Sequence, residues 1–416
     1  MFKSVLYAVM LLGLLTACGG GGGGGSSSSS APASTSTSPS IAAAVALASN
    51  EIMVTVDKGP AGNNVNRLYT DVTICQAGST TLCQTIDHVL VDTGSTGLRL
   101  LSGVVSPALN LTKVAAASGL PLLACARFVD NTFAWGPAVT ADITLGGKTA
   151  AGMSVQMIAD PAFTGLARTC SSSTALDTVA SLGAKGIIGL GMFKEDCGAS
   201  CANVTANGVY FTCATAACTT TVATRAATDK QLKNPIPLFA SDNNGFLIDL
   251  PAVGSAGETS ISGSLIFGIG TQPNNQVSSS RVLTTGTTGY FSTLLAGQSL
   301  STSFIDTGSN GLYFDSSKMP TCNVGAHTGF YCPASLMTFS ATQVGSNAMT
   351  NPVVFSVNNA ATLFADAVKT VLPNLAGPIG NERSFDWGLP FFYGRRVFTG
   401  IEGQSSVVGT GPLYAF

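Results

Sequence analysis

Short apolar runs with a two-residue period dominate the chain from residue 50 onward. In Glu51–Asp57, for example, Ile52, Val54 and Val56 stand at every second position. This alternation places apolar side chains on one face of an extended strand, whereas an amphipathic helix repeats them every three or four residues. Glycine-, serine- and asparagine-rich segments separate the runs and are typical of turns. The pattern therefore predicts a mainly β protein with few short helices.

Two longer runs predict a β-hairpin, and one segment predicts a helix. Leu68–Cys75 and Cys83–Val91 are strand-like and are joined by a polar, turn-rich segment. In Asn359–Val371 the apolar residues recur at helical spacing, and Pro373 follows. We therefore expect a helix there that ends before the proline.

Two strand-like runs lead into the same tetrapeptide, Asp-Thr-Gly-Ser. It occupies residues 92–95 within Val89–Leu100 and residues 306–309 within Ser303–Phe314. Each acid stands where an apolar strand enters a tight glycine turn, so its carboxylate is expected to be buried and hydrogen-bonded. A single copy is an ordinary turn sequence. Two copies in matched apolar frames predict two acids that face each other, share one proton and hold one water molecule.

The repeated motif resembles that of the bilobal, pepsin-like aspartic peptidases, in which each lobe supplies one such turn. The resemblance covers about residues 50–416. It implies a two-lobed acid-protease fold with a pseudo-twofold axis and few short helices. The N-terminal lobe would span residues 50–270 and the C-terminal lobe residues 271–416, with Thr271–Ser280 as a polar linker at the junction.

The resemblance also implies roles for the motif residues. Asp92 and Asp306 would activate the shared water for attack on a peptide carbonyl. The residues after each acid would support the pair: the threonines by locking the two turns together, the glycines by offering N–H groups, the serines by donating hydroxyls. These supporting residues are Thr93, Gly94, Ser95, Thr307, Gly308 and Ser309. Because such donors favour the ionised acids, an acidic activity optimum is expected.

A segment after the first acid resembles the flap, the hairpin that closes over the substrate in this family. Trp135 and Gly136 lie in Phe133–Pro137, which is predicted to be a turn between two strands. The family usually has a tyrosine at the flap tip. Trp135 is therefore either an altered tip, whose indole N–H can donate but not accept, or a packing aromatic.

Two apolar–apolar–glycine elements resemble the family's ψ-shaped loops, each of which threads across a catalytic strand. The first is Ile187-Ile188-Gly189, and the second ends at Gly388. Glycine is expected at both positions because one backbone passes closely over another. Asp386 makes the second element less apolar than is usual in the family.

The chain has 11 cysteines, and ten remain once Cys18 is set aside. An even number in an exported protein predicts a disulfide framework. Loop lengths favour Cys75 with Cys83, Cys322 with Cys332, and Cys125 with Cys170. The other four have three possible pairings, and a zinc site is a rival interpretation; they are Cys197, Cys201, Cys213 and Cys218.

Residues 1–17 are typical of an export signal, with Lys3 followed by the short apolar run Val5–Leu15. The run is too short to span a membrane comfortably. Leu15-Thr16-Ala17-Cys18 resembles the bacterial lipobox, with Cys18 as the lipidated residue; a plain signal peptide is the alternative. Residues 18–49 are rich in glycine, serine and proline and predict a flexible tether. The expected location is the bacterial cell envelope, anchored to the outer membrane.

Composition narrows the function further. The 416 residues carry a net charge of −2 and only 10% charged residues, which argues against a nucleic-acid partner. Zinc-protease, P-loop and dinucleotide motifs are absent, so neither cofactor nor metal is expected. The sequence predicts a monomeric, envelope-anchored aspartic endopeptidase that acts on polypeptides. The alternatives are a catalytically silent relative that binds a peptide or an envelope partner, and an unrelated β-sandwich adhesin.

Overall fold

The computed structural model describes residues 47–171, 174–215, 217–278, 281–323 and 325–416. These ranges are mainly β and contain three short α-helices, which confirms the predicted class. The predicted signal peptide, the lipidation at Cys18 and nearly all of the tether lie outside the described residues. Within the described ranges, no helix has the length and apolar character needed to cross a membrane.

The strands and helices are numbered in chain order. The strands up to residue 267 are β1 (Glu51–Val56), β2 (Leu68–Gln76), β3 (Cys83–Asp92), β4 (Thr96–Leu101), β5 (Thr112–Lys113), β6 (Leu122–Arg127), β7 (Thr132–Leu145), β8 (Lys148–Ile158), β9 (Thr174–Ala175), β10 (Gly186–Leu190), β11 (Tyr210–Cys213), β12 (Thr221–Ala223), β13 (Gly245–Asp249) and β14 (Ile261–Phe267). The later strands are β15 (Val282–Thr284), β16 (Phe291–Leu295), β17 (Gln298–Ile305), β18 (Leu312–Phe314), β19 (Met337–Val344), β20 (Thr350–Val357), β21 (Ala376–Gly377), β22 (Phe385–Trp387), β23 (Arg396–Gly400), β24 (Ser405–Ser406), β25 (Gly409–Thr410) and β26 (Leu413–Ala415). The helices are α1 (Val179–Leu182), α2 (Ala199–Asn203) and α3 (Ala360–Leu363).

The same three-strand arrangement occurs around both Asp-Thr-Gly-Ser turns. Strand β10 lies between β3 and β4, parallel to the first and antiparallel to the second, so that Gly189 is opposite both Asp92 and Gly97. Strand β22 lies in the same way between β17 and β18, with Trp387 opposite Ile305 and Leu312. Each acid therefore stands at the end of a strand that a later segment crosses.

Glycine at the two crossing points has a steric cause. A Cβ on Gly189 would lie 2.6 Å from the backbone nitrogen of Thr96, and one on Gly388 would collide with the carbonyl oxygen of Gly311. Both contacts are with backbone, which cannot move aside as a flexible side chain can. The glycines that end the two predicted elements are thus required by the close passage of the strands.

Strands from the end of the chain complete a sheet built mainly from its first part. The antiparallel order is β1, β14, β13, β23, β26 and β15, each hydrogen-bonded to the next. The strands β15, β23 and β26 all come after residue 270. The sequence segment 271–416 therefore contributes strands to the same sheet as the segment 50–270.

One hydrophobic core cluster runs beneath both turns, from Val91 in β3 to Trp387 in β22. Its centre in the second part of the chain is a stack of aromatic rings. The rings of Phe385 and Trp387 lie 4.0 Å apart, and those of Phe314 and Phe385 lie 4.8 Å apart. Burial of each such ring contributes roughly 1.5–3 kcal/mol to stability. Since alternate residues of a strand point to opposite faces, Asp386 faces away from this stack.

The predicted helix at Asn359–Val371 is wrong beyond its first turn. The helix α3 covers Ala360–Leu363 and is capped by the side chain of Asn359, which accepts a hydrogen bond from the N–H of Thr362. Val371 instead forms an isolated antiparallel bridge with Glu258. This tertiary pairing supplies the backbone hydrogen bonds that a longer helix would have supplied, and it overrides the local pattern.

The predicted turn at Phe133–Pro137 is also wrong. Strand β7 runs through this segment and pairs with β6, so the turn of that hairpin lies at residues 128–131. Trp135 is 8% exposed, stacks edge-on against Phe211, and donates its indole N–H to the carbonyl of Phe163. Gly136 leaves room for the carbonyl of Met157, with which a Cβ would collide. Trp135 is thus a packing aromatic and Gly136 a close-approach glycine, and neither lies at a hairpin tip.

The ten cysteines among the described residues form five disulfides. Cys75–Cys83, Cys125–Cys170 and Cys322–Cys332 are paired as expected. The pairing that the sequence left open is Cys197–Cys201 and Cys213–Cys218. The rival zinc site is therefore wrong, because these sulfur atoms are bonded to each other and are not free thiolates.

Candidate active site

The two Asp-Thr-Gly-Ser turns meet, and they bring Asp92 and Asp306 together. The N–H of Gly94 donates to Oδ1 of Asp92 at 2.8 Å and to Oδ1 of Asp306 at 3.0 Å. The N–H of Gly308 donates to Oδ1 of Asp306 at 2.7 Å. One backbone N–H is thus shared by the inner oxygens of two acids that are far apart in the sequence. We call the turn at 92–95 with β3, β4 and β10 the first half-site, and the turn at 306–309 with β17, β18 and β22 the second.

The outer oxygens of both acids have hydroxyl donors. Ser95 donates to Oδ2 of Asp92 at 2.5 Å, and Ser309 donates to Oδ2 of Asp306 at 2.8 Å. The acids themselves are 6% and 8% exposed. Buried carboxyl groups are costly unless their oxygens are hydrogen-bonded, and here both oxygens of each acid have a donor.

The threonines of the two turns lock the half-sites together. The N–H of Thr93 donates to Oγ1 of Thr307 at 3.2 Å, and the N–H of Thr307 donates to Oγ1 of Thr93 at 3.0 Å. Each hydroxyl then donates across to the opposite strand, that of Thr93 to the carbonyl of Ile305 at 3.3 Å and that of Thr307 to the carbonyl of Val91 at 2.7 Å. Four buried hydrogen bonds therefore fix the relative position of the two acids.

Neither turn has room for a side chain in place of its glycine. A Cβ on Gly94 would lie 2.7 Å from Cγ of Asp306, and a Cβ on Gly308 would lie 2.7 Å from Oδ1 of Asp92. Each carboxyl group packs directly over the glycine of the opposite turn. The glycines thus permit the approach of the acids as well as supplying N–H donors.

Burial and the negative charge of Asp92 raise the pKa of Asp306 to about 8. The N–H of Gly308 and the hydroxyl of Ser309 act in the opposite direction but are weaker. The two acids therefore share one proton, and the raised pKa favours Asp306 as its carrier. The pH range in which the pair holds a single proton therefore extends nearer to neutral than the hydrogen-bond donors alone would predict.

A third carboxyl group lies behind the second half-site. Asp386 is 2% exposed and stands in β22 opposite Phe304 and Tyr313. Burial, then the charge of Asp306, raise its pKa, and the nearby hydroxyl of Ser309 acts in the opposite direction. The sequence signal for this group was the acid in an otherwise apolar element.

The first half-site has a buried ion pair in its corresponding region. Arg99 donates through Nη1 to the carbonyl of Thr96 at 2.7 Å, and its Nη2 lies 3.4 Å from Oδ2 of Asp196. The hydroxyl of Tyr210 donates to Oδ1 of Asp196 at 2.6 Å. Burial raises the pKa of Asp196 to about 6, against the opposing effect of Arg99. No motif in the sequence pointed to this pair.

Asn66 joins the loop before β2 to the second half-site. Its Nδ2 donates to the carbonyls of Asn310 and Leu372, both at 2.8 Å. Its Oδ1 accepts from the N–H of Leu372 at 2.7 Å and from the hydroxyl of Tyr393 at 2.8 Å. Asn66 thus holds the residue that follows Ser309. An isolated asparagine between strands gave no signal of this role.

The tip of the β6–β7 hairpin lies within electrostatic range of the second half-site. Burial and the charge of Asp386 are the main causes that raise the pKa of Tyr313, and the charge of Asp130 adds to them. Asp130 belongs to the turn at 128–131. This turn is therefore close enough to the second half-site for the charge of Asp130 to act on Tyr313.

The fold and the site define a mainly β protein with two hydrogen-bonded acids brought together by a repeated turn. The chain belongs to the family described as "Protein of unknown function (DUF3443)", which matches residues 46–416. No curated protein matches the chain. The matched residues include both half-sites, Asp386 and the Arg99–Asp196 pair, and the function has to be inferred from their geometry.

Proposed function

We propose that this protein is an aspartic endopeptidase. The observation that carries the proposal is the N–H of Gly94, which donates to Oδ1 of both Asp92 and Asp306. Two buried acids around one donor, of which one carries a proton, form the arrangement that activates a water molecule in aspartic peptidases. Such a pair is costly to bury, and a protein that only binds has no need of it.

The strand order supports a pepsin-like, two-lobed fold with a pseudo-twofold axis. Both half-sites have a strand threaded between the strand before the turn and the strand after it. A sheet containing strands from both ends of the chain would join the two lobes. The resemblance first seen in the motifs thus extends to the way the strands around them are connected.

The proposed reaction is hydrolysis of a peptide bond by a water molecule held between the acids. The ionised carboxylate of Asp92 takes a proton from the water, whose oxygen attacks the carbonyl carbon. Asp306 gives its proton to the carbonyl oxygen, which forms a tetrahedral intermediate. When the C–N bond breaks, the leaving nitrogen takes the proton that Asp92 received, and the intermediate returns a proton to Asp306. The proposed substrate is a polypeptide, and the proposed flap is the β6–β7 hairpin, which would close over it.

The test is cleavage of denatured protein substrates by the full chain between about pH 3 and pH 8, followed by product mass spectrometry. Asp92→Asn and Asp306→Asn are each expected to lower kcat by at least about 100-fold, because general acid–base catalysis contributes roughly 10²–10⁴-fold. The exposed Asp71, which lies in strand β2 outside both turns, gives the matched control Asp71→Asn, which is expected to cleave like the wild type. Equal cleavage by all four proteins would refute the proposal.

Binding distinguishes the catalytically silent alternative. A peptide with a secondary alcohol in place of the scissile carbonyl mimics the tetrahedral intermediate and should bind the wild type more tightly than the parent peptide does. If the wild type cleaves nothing and binds both peptides equally, the acids do not act on a reacting carbonyl. The protein is then a peptide-binding module.

We also propose that the enzyme is anchored in the bacterial envelope through Cys18. The lipobox-like segment before Cys18 and the glycine- and serine-rich segment after it support this location, as do five disulfides, which persist in oxidising compartments. Cys18→Ala is expected to move the protein from the membrane fraction to the soluble fraction. Retention of that variant in the membrane fraction would contradict the anchor without bearing on catalysis.

A further inference from the structure

We propose that Asp386 is a positioning residue for the acid pair: a neutral, buried carboxyl that donates a hydrogen bond to Ser309 and thereby directs the Ser309 hydroxyl at Asp306. The effect on catalysis depends on the proposed peptidase function, whereas the neutral state of Asp386 does not. Asp386 lies outside the two Asp-Thr-Gly-Ser turns, and the hydrolytic steps described above do not use it.

The position of Asp386 follows from the strand arrangement. In β22 the neighbours Phe385 and Trp387 both stack in the aromatic core. Asp386 therefore points to the other face of the strand, where β17 and β18 flank it through Phe304 and Tyr313. This face lies toward the turn that carries Ser309, whose hydroxyl is near enough to act on the pKa of Asp386.

The hydrogen-bond inventory determines which group is the donor. A serine hydroxyl has one proton, and that of Ser309 is donated to Oδ2 of Asp306 at 2.8 Å. Toward Asp386 the hydroxyl oxygen can therefore only accept. An ionised carboxylate has no proton to donate, so a hydrogen bond from Asp386 to this oxygen requires Asp386 to be protonated.

The surroundings also favour the neutral state. Oδ1 of Asp386 has no hydrogen-bond partner among the described residues, and an ionised group with such an oxygen would be costly to bury. The charged groups that act on Asp386 are those of the acid pair, Asp306 and Asp92, and the negative charge that the pair carries opposes ionisation of Asp386. The titratable side chains on the adjoining strands are Tyr313 in β18 and Tyr414 in β26, and burial is the first cause that raises the pKa of each.

The first half-site shows what is special to the second. The residue of β10 that corresponds to Asp386 is Ile187, which packs in an apolar cluster. Ser95 thus donates to Asp92 without a carboxyl group behind it. A hydroxyl that accepts a hydrogen bond becomes a stronger donor, so Asp386 strengthens the bond from Ser309 to Asp306 alone. This stronger bond favours the ionised form of Asp306 and so limits the rise of its pKa.

The test compares Asp386→Asn with Asp386→Leu. Asparagine is neutral and keeps an N–H donor for Ser309, whereas leucine has a similar size and no donor. For Asp386→Asn we expect kcat and the pH profile of kcat/KM to stay within about twofold of the wild type. For Asp386→Leu we expect kcat to fall roughly tenfold, as for the loss of one hydrogen bond, and the alkaline limb of the profile to move to higher pH.

A second readout does not need catalysis. A neutral Asp386 releases its proton when the protein unfolds near neutral pH, because the unfolded carboxyl ionises at about pH 4. The pH dependence of the unfolding free energy should therefore show about one proton fewer released for Asp386→Asn than for the wild type. An unchanged proton count would show that Asp386 is ionised in the folded protein, and an alkaline limb moved to lower pH in Asp386→Asn would show the same.

The two readouts separate the possible failures. If the wild type has no peptidase activity, the proton count still tests the neutral carboxyl. If the wild type is active and Asp386→Leu has the wild-type pH profile, Asp386 does not position Ser309. In a Ser309→Ala background, Asp386→Leu is expected to have no further effect on kcat, because the residue through which Asp386 acts is gone. An additive loss in that background would overturn the proposal.

Discussion

The two half-sites have the same turn and the same threaded strand, but they are supported from behind in different ways. Behind the first, the buried guanidinium of Arg99 holds the carbonyl of Thr96 and contacts Asp196. Behind the second, the corresponding strand position is Tyr313, whose hydroxyl donates to Oδ1 of Asn310 at 2.5 Å. Ile187 lies opposite Arg99, whereas Asp386 lies opposite Tyr313.

The two half-sites therefore share their backbone geometry but not their electrostatic surroundings. The first half-site has an ion pair next to it, and the second has a buried acid without a cation. The two carboxyl groups of the pair therefore sit in unequal surroundings, and burial and the charge of Asp92 raise the pKa of Asp306. In a pair of identical half-sites there would be no physical reason for the proton to prefer either acid.

The largest effect on stability is expected when the ion pair beside the first half-site is broken. Arg99→Met leaves Asp196 buried without its cation, which is expected to lower the free energy of unfolding by about 3–5 kcal/mol in urea titrations near pH 8. The loss should be smaller near pH 5, where Asp196 can take up a proton. The double variant Arg99→Met with Asp196→Asn is expected to recover part of the loss. A single variant as stable as the wild type would mean that the pair does not support the first half-site.

The second-largest effect is the contribution of Asp196 to the pH dependence of the unfolding free energy. Its pKa is about 6 in the folded protein, above the ordinary carboxyl value. The stabilising effect of its protonation is therefore fully present below about pH 4 and is lost as the pH rises through about 6, by roughly 3 kcal/mol at most. Asp196→Asn should flatten the unfolding free energy over this window. Asp306 and Asp386 in the second half-site should still lower the unfolding free energy as the pH rises above this window.

A smaller difference in stability is expected between variants of the two threonines in the turns. Thr307→Val removes a hydroxyl bond of 2.7 Å to Val91, whereas Thr93→Val removes one of 3.3 Å to Ile305. Each substitution preserves shape and leaves buried groups unpaired, at about 1–3 kcal/mol. Urea unfolding is expected to show the larger loss for Thr307→Val. Equal losses would indicate that the hydrogen bonds accepted from the N–H groups dominate.

The smallest effect is expected at Tyr313. Tyr313→Phe removes the hydroxyl bond to Asn310, at about 1 kcal/mol, because Asn66 still holds the backbone of Asn310. Urea titration near pH 8 measures this loss, as for Arg99→Met. A loss as large as that of Arg99→Met would show that the two half-sites depend equally on their supporting side chains.

Local patterns predicted much of the fold and the centre of the site. Two-residue alternation located β1, β2 and β3, because it reports which face of a strand is buried. The repeated turn identified the acids, and all six supporting residues lie where the motif predicted, because a tight glycine turn leaves its backbone N–H groups few places to go. Short loops likewise predicted the disulfide Cys75–Cys83.

What the sequence could not predict depends on contacts between distant segments. The helix at Asn359–Val371 lost its later turns to a bridge with Glu258, and Trp135 lies in a strand because its segment pairs with β6. Asn66 reaches a carbonyl 244 residues away. Such contacts leave no periodic trace in the sequence, so tertiary structure has to be known before they can be found.

The position of strand β26 in the chain determines when its sheet can be completed during synthesis. Strand β26, at Leu413–Ala415, fills the space between β15 and β23 and pairs with both. Because synthesis runs from the N-terminus, this sheet remains open until Leu413–Ala415 have emerged from the ribosome. A truncation before Leu413 would leave two unpaired strand edges, which are templates for aggregation. Completion of this sheet therefore waits until β26 has been synthesised.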